Sequence, residues 1–191
     1  MKKFEKNEII DIFVSILALS LFFTFPEWSQ RYFLYLFIIA ASFMLKQVFH
    51  KMMARKLQCT AVYKMRPSLI LVGLFFMIFK PVFGISFMAV GSIDIVPYRF
   101  GRTGLKLVKL TPYDLGIITL TGIIINLFLA YTFLFIPNDI TSLIVKINCL
   151  LAIYHLLPLP GFDGAKIFMW TIWGWLFIFL LSILPLILLL G

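Results

Sequence analysis

Charged residues, and acids above all, are scarce in this chain. Only 13% of its 191 residues are charged, and eight of them are Asp or Glu. Hydrophobic residues make up 62% of the sequence and occur along its whole length. This composition excludes a soluble globular domain and predicts a polytopic membrane protein. We expect one membrane domain over residues 1–191.

Cysteine is also sparse. Cys59 and Cys149 lie far apart and form no C-x-x-C pair, which excludes a disulfide scaffold and a cysteine-rich metal site. The chain has 17 basic residues and a formal net charge of +9, a balance that in a soluble protein would suggest nucleic acid. No RNA-binding or DNA-binding motif accompanies that charge. Because basic clusters beside membrane spans meet anionic lipid, we expect membrane lipid as a partner and no nucleic acid.

Six apolar stretches follow one another along the chain. The first has no small-x-small cleavage site after its apolar core, so we interpret it as a retained span and not as a signal peptide. The stretches predict an all-α membrane protein with five to six transmembrane helices, at about residues 9–25, 32–50, 69–96, 115–136, 143–157 and 167–190.

The number of crossings depends on the third stretch, residues 69–96, which has Lys80 and Pro81 in its middle. A full crossing would put the basic residues that follow it on the opposite side from the basic loop after the second span, against the positive-inside bias. A re-entrant hairpin that turns near Lys80-Pro81 would return the chain to the same side. We favour the hairpin, with the full crossing as the alternative. The same bias places the N-terminus in the cytoplasm.

Polar residues interrupt the second span at a depth where lipid is expected. Lys46, Gln47 and His50 lie within or at the end of the apolar run that begins at Tyr32. Ionisable groups inside a membrane are costly and by default mark a functional site. Positions 46 and 50 are about one helical turn apart, so the two side chains project from the same face of the helix. This face is the first candidate site.

A second polar stretch, HLLPLPGFDGAK, follows the fifth span. Pro158 and Pro160 break the helix there, so that Asp163 can point from unwound backbone into the bundle.

The fourth span carries small and polar residues. Gly116, Thr119 and Gly122 form a flank that would let another helix approach closely. Asn126 needs a partner, because an unpaired amide in hydrocarbon costs several kcal/mol. Two interpretations of Asn126 stay open, a contact that joins two helices and a role in the site.

Taken in order, these features resemble the site-2 proteases, the M50 family of intramembrane zinc metalloproteases. On the family's H-E-x-x-H helix, two histidines bind zinc and the glutamate is the general base. The first histidine falls on Lys46, the glutamate on Gln47 and the second histidine on His50. The resemblance therefore implies a divergent member with a degenerate active-site motif.

Two further family motifs are matched more closely. A Gly-Pro-x-x-Asn motif falls on Gly122 and Asn126, with Ile123 at the position of the proline. An Asn-x-x-Pro-x-Pro-x-x-Asp-Gly motif, whose aspartate is the third zinc ligand, falls on His155, Pro158, Pro160, Asp163 and Gly164. The resemblance implies a site-2-protease-like core over the whole chain.

Three interpretations of the polar centre remain open. In the first, Lys46 has taken the place of the metal and pairs with Asp163, so that no cofactor is bound. In the second, His50, His155 and Asp163 hold zinc, although Gln47 could not accept a proton from water at neutral pH. In the third, the polar residues only fix the registry of the helices.

The first interpretation predicts a catalytically inactive pseudoprotease. Such a protein would bind a transmembrane helix of a partner protein, or serve as a scaffold subunit, through the flank from Gly116 to Gly122. The second predicts an intramembrane zinc metalloprotease or a metal-binding variant with a non-standard site. A transporter is disfavoured, because the sequence has no inverted repeat. Richness in Ile, Phe and Lys suggests an archaeal or bacterial cell membrane.

Overall fold

The structure, a computed structural model, describes residues 6–26, 31–83, 87, 89–101, 104–107, 109–136 and 138–190. Helices dominate this part of the chain, and short strands occur between the second and fourth helices. In chain order the elements are α1 Lys6–Thr24, α2 Tyr32–Lys56, β1 Thr60–Met65, α3 Pro67–Phe83, β2 Gly91–Val96, β3 Tyr98–Gly101, β4 Gly104–Leu107, α4 Pro112–Leu134, α5 Asp139–His155, α6 Asp163–Trp170 and α7 Ile172–Leu190.

Among the described residues, four helices are long and apolar enough to cross a membrane. They are α1, α2, α4 and α7, with candidate spans of 18 to 25 residues. At about 1.5 Å per residue, the shortest reaches roughly 27 Å, close to the thickness of a bilayer's hydrocarbon core. This agrees with the predicted membrane protein and with four of its six apolar stretches. Helix α5 is shorter and contains the polar residues Lys146 and Asn148.

The expectation of an all-α chain is wrong between α2 and α4. There β1 pairs with β2 in antiparallel register from Thr60↔Val96 to Met65↔Gly91, and β3 pairs with β4. The third apolar stretch therefore divides into α3 and the strand β2. Ile93 and Ile95 of β2 favour a strand, but a short apolar run does not distinguish strand from helix by its pattern alone.

Helix α3 continues through Lys80 and Pro81 and ends at Phe83, so the turn predicted at Lys80-Pro81 is not found there. Lys80 Nζ donates a hydrogen bond of 2.6 Å to the carbonyl oxygen of Phe25, just beyond the end of α1. The strands on either side of α3 are paired. The chain therefore enters and leaves this segment at neighbouring positions.

The centre of the fold is α4, which packs against α2, α5 and α6. A cluster of buried apolar side chains joins α1, α2, β1 and α5, and it includes Leu19, Phe43, Tyr63 and Leu151. Tyr63 shares a hydrogen bond of 2.8 Å with Ser15 of α1. Burial raises the pKa of Tyr63, so the phenol in this bond is neutral.

Carboxylates from helices hold both outer edges of the β1–β2 sheet. On the β1 side, Glu8 accepts the backbone N–H of Tyr63 at 2.9 Å. On the β2 side, Asp163 accepts the backbone N–H of Ile93 at 3.2 Å. An unpaired strand edge exposes backbone groups that need partners, and these two side chains supply them. The sheet is thereby fixed to α1 on one side and to α6 on the other.

Candidate functional site

Helix α2 presents Lys46, Gln47 and His50 to the interior of the protein, and each is at most 1% exposed. The helix is continuous from Tyr32 to Lys56, so Lys46 and His50 lie on the same buried face, as predicted. Asp163, at the beginning of α6, lies beside Lys46, and Thr119 and Gly122 of α4 lie beside His50.

The proline-containing loop brings Asp163 to this face. Helix α5 ends at His155 and α6 begins at Asp163, so the chain between them is free to turn. Gly161 has a φ of 87°, in the left-handed region that favours glycine. Gly164 packs directly on the backbone of Leu156, where a Cβ atom would overlap it. Both glycines are therefore required by the path of the loop.

Lys46 and Asp163 form an ion pair at the centre of the site, the contact predicted from the sequence. Lys46 Nζ lies 3.2 Å from Asp163 Oδ2, and both side chains are 1% exposed. The other carboxylate oxygen accepts the N–H of Ile93 at 3.2 Å and lies 3.5 Å from Lys166 Nζ. A buried carboxylate is tolerated only with such compensation, since an unpaired buried charge costs several kcal/mol.

Lys166 is a site residue that the sequence reasoning missed. Its Nζ atom donates to the carbonyl oxygen of Ile93 in addition to its contact with Asp163. Lys166 follows Asp163 by three residues in α6, a spacing that places two side chains on neighbouring positions of a helix surface. That spacing is the signal that could have identified it.

The two histidines, His50 of α2 and His155 of α5, are both buried. His50 Nε2 lies 3.2 Å from the carbonyl oxygen of Thr119, and His155 Nδ1 lies 2.7 Å from that of Leu151. The remaining nitrogens, His50 Nδ1 and His155 Nε2, have no hydrogen-bonding partner among the described residues. Each histidine is thus anchored to a helix backbone through one nitrogen.

The flank from Gly116 to Gly122, predicted to contact a partner protein, is an internal packing face. Gly122 lies under the ring of His50, and a Cβ atom at this position would overlap the ring. Gly116 lies in the same way against Trp170 of α6. The small residues do allow close approach, as predicted, but the groups that approach belong to this chain.

Two amide side chains, Gln47 of α2 and Asn126 of α4, are also buried. The side-chain oxygen and nitrogen of both Gln47 and Asn126 are buried and lack a hydrogen-bonding partner within the described part of the chain. Ser92 Oγ, on β2, is likewise buried and without a hydrogen-bonding partner among the described residues. No feature of the sequence predicted this. The expected partner of Asn126 is therefore not found among these residues, and its two interpretations stay open.

Zinc does not fit this arrangement of side chains. A catalytic zinc ion needs three protein ligands, and in the described residues no three His, Cys, Asp or Glu side chains form a suitable group. Lys46 holds one oxygen of Asp163, and a protonated lysine cannot bind a metal. The predicted ligands His50, His155 and Asp163 lie in one cluster but are not arranged around a common point.

Comparison with known proteins gives one relative. A protein of Methanocaldococcus jannaschii named putative zinc metalloprotease is 31% identical to this chain over 183 residues, which cover 91% of this chain and 89% of the relative. No family model matches the chain. No solved structure matches it. An identity of this size over nearly the full length of both proteins shows common descent, and the chain therefore belongs to the metalloprotease family of that relative.

Proposed function

We propose that this protein is a catalytically inactive member of the site-2 protease (M50) branch of metalloproteases. The ion pair between Lys46 and Asp163 carries the proposal. Lys46 stands where the resemblance places the first zinc-binding histidine, and its ammonium group lies 3.2 Å from the carboxylate that would be the third ligand. A metal ion and a protonated lysine cannot both occupy the same side of that carboxylate.

Gln47 supports the same conclusion independently of the metal. In the resemblance this position belongs to the general base, which must accept a proton from water. A carboxamide has no basic group near neutral pH. Even a chain with zinc at this site would therefore need a base from elsewhere. Besides Asp163, Glu8 is the other buried carboxylate among the described residues, and it is bound to the N–H of Tyr63 and to Lys51.

We also propose an arrangement of the chain in the membrane. One domain, residues 1–191, would contain five to six membrane elements, with the segment between β1 and β2 as a re-entrant element. The pairing of Met65 with Gly91 supports this, because it returns the chain to the point where it left the sheet. We place the N-terminus in the cytoplasm of an archaeal or bacterial cell, on the strength of the basic residues at the chain start and after α2.

We further propose that the protein serves as a scaffold or as a subunit that binds a transmembrane helix. A family fold that has lost its catalytic residues can keep its affinity for helices. Because Gly116 and Gly122 are covered, the contact face would lie elsewhere, and the outer face of α7 offers apolar side chains such as Trp173, 80% exposed, and Phe177, 62% exposed. Photo-crosslinking from position 177 tests this, with Phe128 of α4 as an equally exposed control.

Elemental analysis of the detergent-purified protein after incubation with zinc tests the loss of the metal site. We expect far less than one zinc per chain, and no difference between the natural protein and a His50→Ala, Asp163→Ala variant. A revertant with Lys46→His and Gln47→Glu would show whether the scaffold can still hold the ion. Stoichiometric zinc that the alanine variant removes would contradict the proposal.

The second candidate function is an intramembrane zinc metalloprotease, or a metal-binding variant, that uses His50, His155 and Asp163. The unpartnered nitrogens His50 Nδ1 and His155 Nε2 favour it, as does the name of the relative. It requires Lys46 to leave Asp163. Cleavage of a membrane peptide that a chelator abolishes would establish this function and exclude the inactive one.

A further inference from the structure

A cavity of about 620 Å³ opens between α2, α5 and α7, beside the beginning of α2. It is lined by Tyr35 of α2, and Tyr35 precedes Lys46 by eleven residues, or about 16 Å along the helix. The cavity is therefore separate from the polar cluster of the candidate site. Neither the resemblance nor the relative assigns it a role.

Part of the cavity lining is polar and carries positive charge. Its lining includes Arg31, Tyr35, Ser142 and Lys146. The side chains of Tyr35, Ser142 and Lys146 make no hydrogen bond or ion pair within the described part of the chain. Two hydroxyl groups and an ammonium group thus face the same space with their donors available.

The acid that lines this cavity does not neutralise it. Asp139 Oδ2 lies 3.8 Å from Arg31 Nη2, and both side chains are largely exposed, at 83% and 65%. Exposed pairs at such a distance contribute little free energy and open readily. Among the described lining residues, the two cations Arg31 and Lys146 outnumber the one acid, Asp139, so the summed charge of these residues is positive.

A second cavity of about 460 Å³ shares Arg31, Tyr35 and Lys146 with the first. It also contains Lys80, whose ammonium group is tied to the carbonyl oxygen of Phe25. The second cavity thus adds another cation to the same end of the protein. The positive charge continues from one cavity into the other.

The lining of the first cavity also has an apolar part. Leucines of α5 and α7 contribute to it, among them Leu143, Leu186 and Leu189. Helix α7 is one of the helices that can cross a membrane, and much of its surface is exposed and apolar. Lys146 lies seven residues after the start of α5, about 10 Å along the helix.

We propose that this cavity binds the headgroup of an anionic phospholipid. The phosphate would accept hydrogen bonds from Arg31, Lys146, Tyr35 and Ser142, since several donors around one space suit a group with several acceptor oxygens. An acyl chain would lie along Leu186 and Leu189. The apolar wall selects a lipid over free phosphate, and the net positive lining selects an anionic over a zwitterionic headgroup.

Native mass spectrometry of the full chain in detergent tests the proposal by titration with phosphatidylglycerol. Phosphatidylcholine with the same acyl chains and inorganic phosphate are the comparison ligands. We expect preferential binding of phosphatidylglycerol, about tenfold weaker after Lys146→Gln because a charge-assisted hydrogen bond is lost. Tyr35→Phe removes a hydroxyl that has no partner among the described residues, so it should leave the fold intact and weaken binding severalfold.

Lys64→Gln is the matched control. Lys64 is an exposed lysine of β1 outside both cavities, 3.0 Å from Asp94, and its replacement should leave lipid binding unchanged. Equal binding of phosphatidylcholine would overturn the assignment to an anionic headgroup. Displacement of the lipid by inorganic phosphate would overturn the assignment to a lipid, and equal losses in Lys64→Gln and Lys146→Gln would overturn the site itself.

Discussion

The ion pair between Lys46 and Asp163 makes an asymmetric prediction about stability. Asp163→Asn leaves the ammonium of Lys46 buried with no anion beside it. Lys46→Met leaves the carboxylate of Asp163 with the N–H of Ile93 at 3.2 Å and with Lys166 at 3.5 Å, and Lys166 is 23% exposed and so reaches water. Lys46 therefore depends on Asp163 more than Asp163 depends on Lys46. Asp163→Asn should lower the free energy of unfolding more than Lys46→Met does.

The magnitudes follow from the burial of both groups. Removing one partner of a buried pair typically costs about 3–5 kcal/mol, and we expect Asp163→Asn to lie in that range. Lys46→Met should cost less, about 1–3 kcal/mol, because Lys166 retains part of the compensation. For a chain of this length, about 2–4 °C of Tm per kcal/mol places the Asp163→Asn loss near 10 °C.

Thermal and denaturant unfolding in detergent micelles would measure these changes, together with a Lys46→Met, Asp163→Asn double variant. The double variant should be more stable than Asp163→Asn alone, because no buried charge is then left without a partner. A larger loss for Lys46→Met than for Asp163→Asn would refute the reasoning. Additive losses in the double variant would refute the pairing itself.

Three further substitutions test the packing that positions the site. Gly122→Ala should destabilise the protein by about 1–3 kcal/mol, because a Cβ atom overlaps the ring of His50; a second His50→Ala change should restore much of the loss. Gly161→Ala should cost about 1–2 kcal/mol, since alanine is strained at a φ of 87°. Ser15→Ala should cost about 1 kcal/mol, because it removes the hydrogen bond to Tyr63. Each is measured by unfolding in micelles, and an unchanged Tm would contradict the contact concerned.

The parts of the fold that the sequence predicted are those in which one physical rule dominates. A run of apolar residues as long as the bilayer is thick has few alternatives to a transmembrane helix, so α1, α2, α4 and α7 were found near their predicted positions. The Lys46–Asp163 contact was predictable for a similar reason. A buried cation needs an anion, and the resemblance to the site-2 proteases made Asp163 the nearest candidate.

The strands were not predictable from the same rules. Thr60–Met65 reads as part of a basic loop because Lys64 and Arg66 belong to the run of basic residues after the second span. Gly91–Val96 reads as the end of an apolar span. What makes them strands is their pairing with each other, over a separation of about thirty residues, and the side chains that hold their outer edges. The local sequence of a segment does not specify which distant segment it pairs with.

At Gly122 the sequence correctly predicted close approach of another group, but the predicted group, a helix of a partner protein, is not the one found there. A small residue in a membrane helix indicates close approach, but the pattern does not say what approaches. The occupant is the ring of His50, whose Nε2 atom reaches the carbonyl oxygen of Thr119 one turn earlier in α4. Packing within the chain and binding of a second protein produce the same sequence signature.

Asp163 makes structural contacts that explain its presence without a role in catalysis. Its carboxylate joins α2 through Lys46, β2 through the N–H of Ile93, and α6 through Lys166. Replacing it would unpair a buried ammonium group and release a strand edge at the same time. Stability alone is therefore sufficient reason for an aspartate at this position. Its retention beside Lys46 and Gln47 is not an argument for a metal, and only the binding of zinc itself would be.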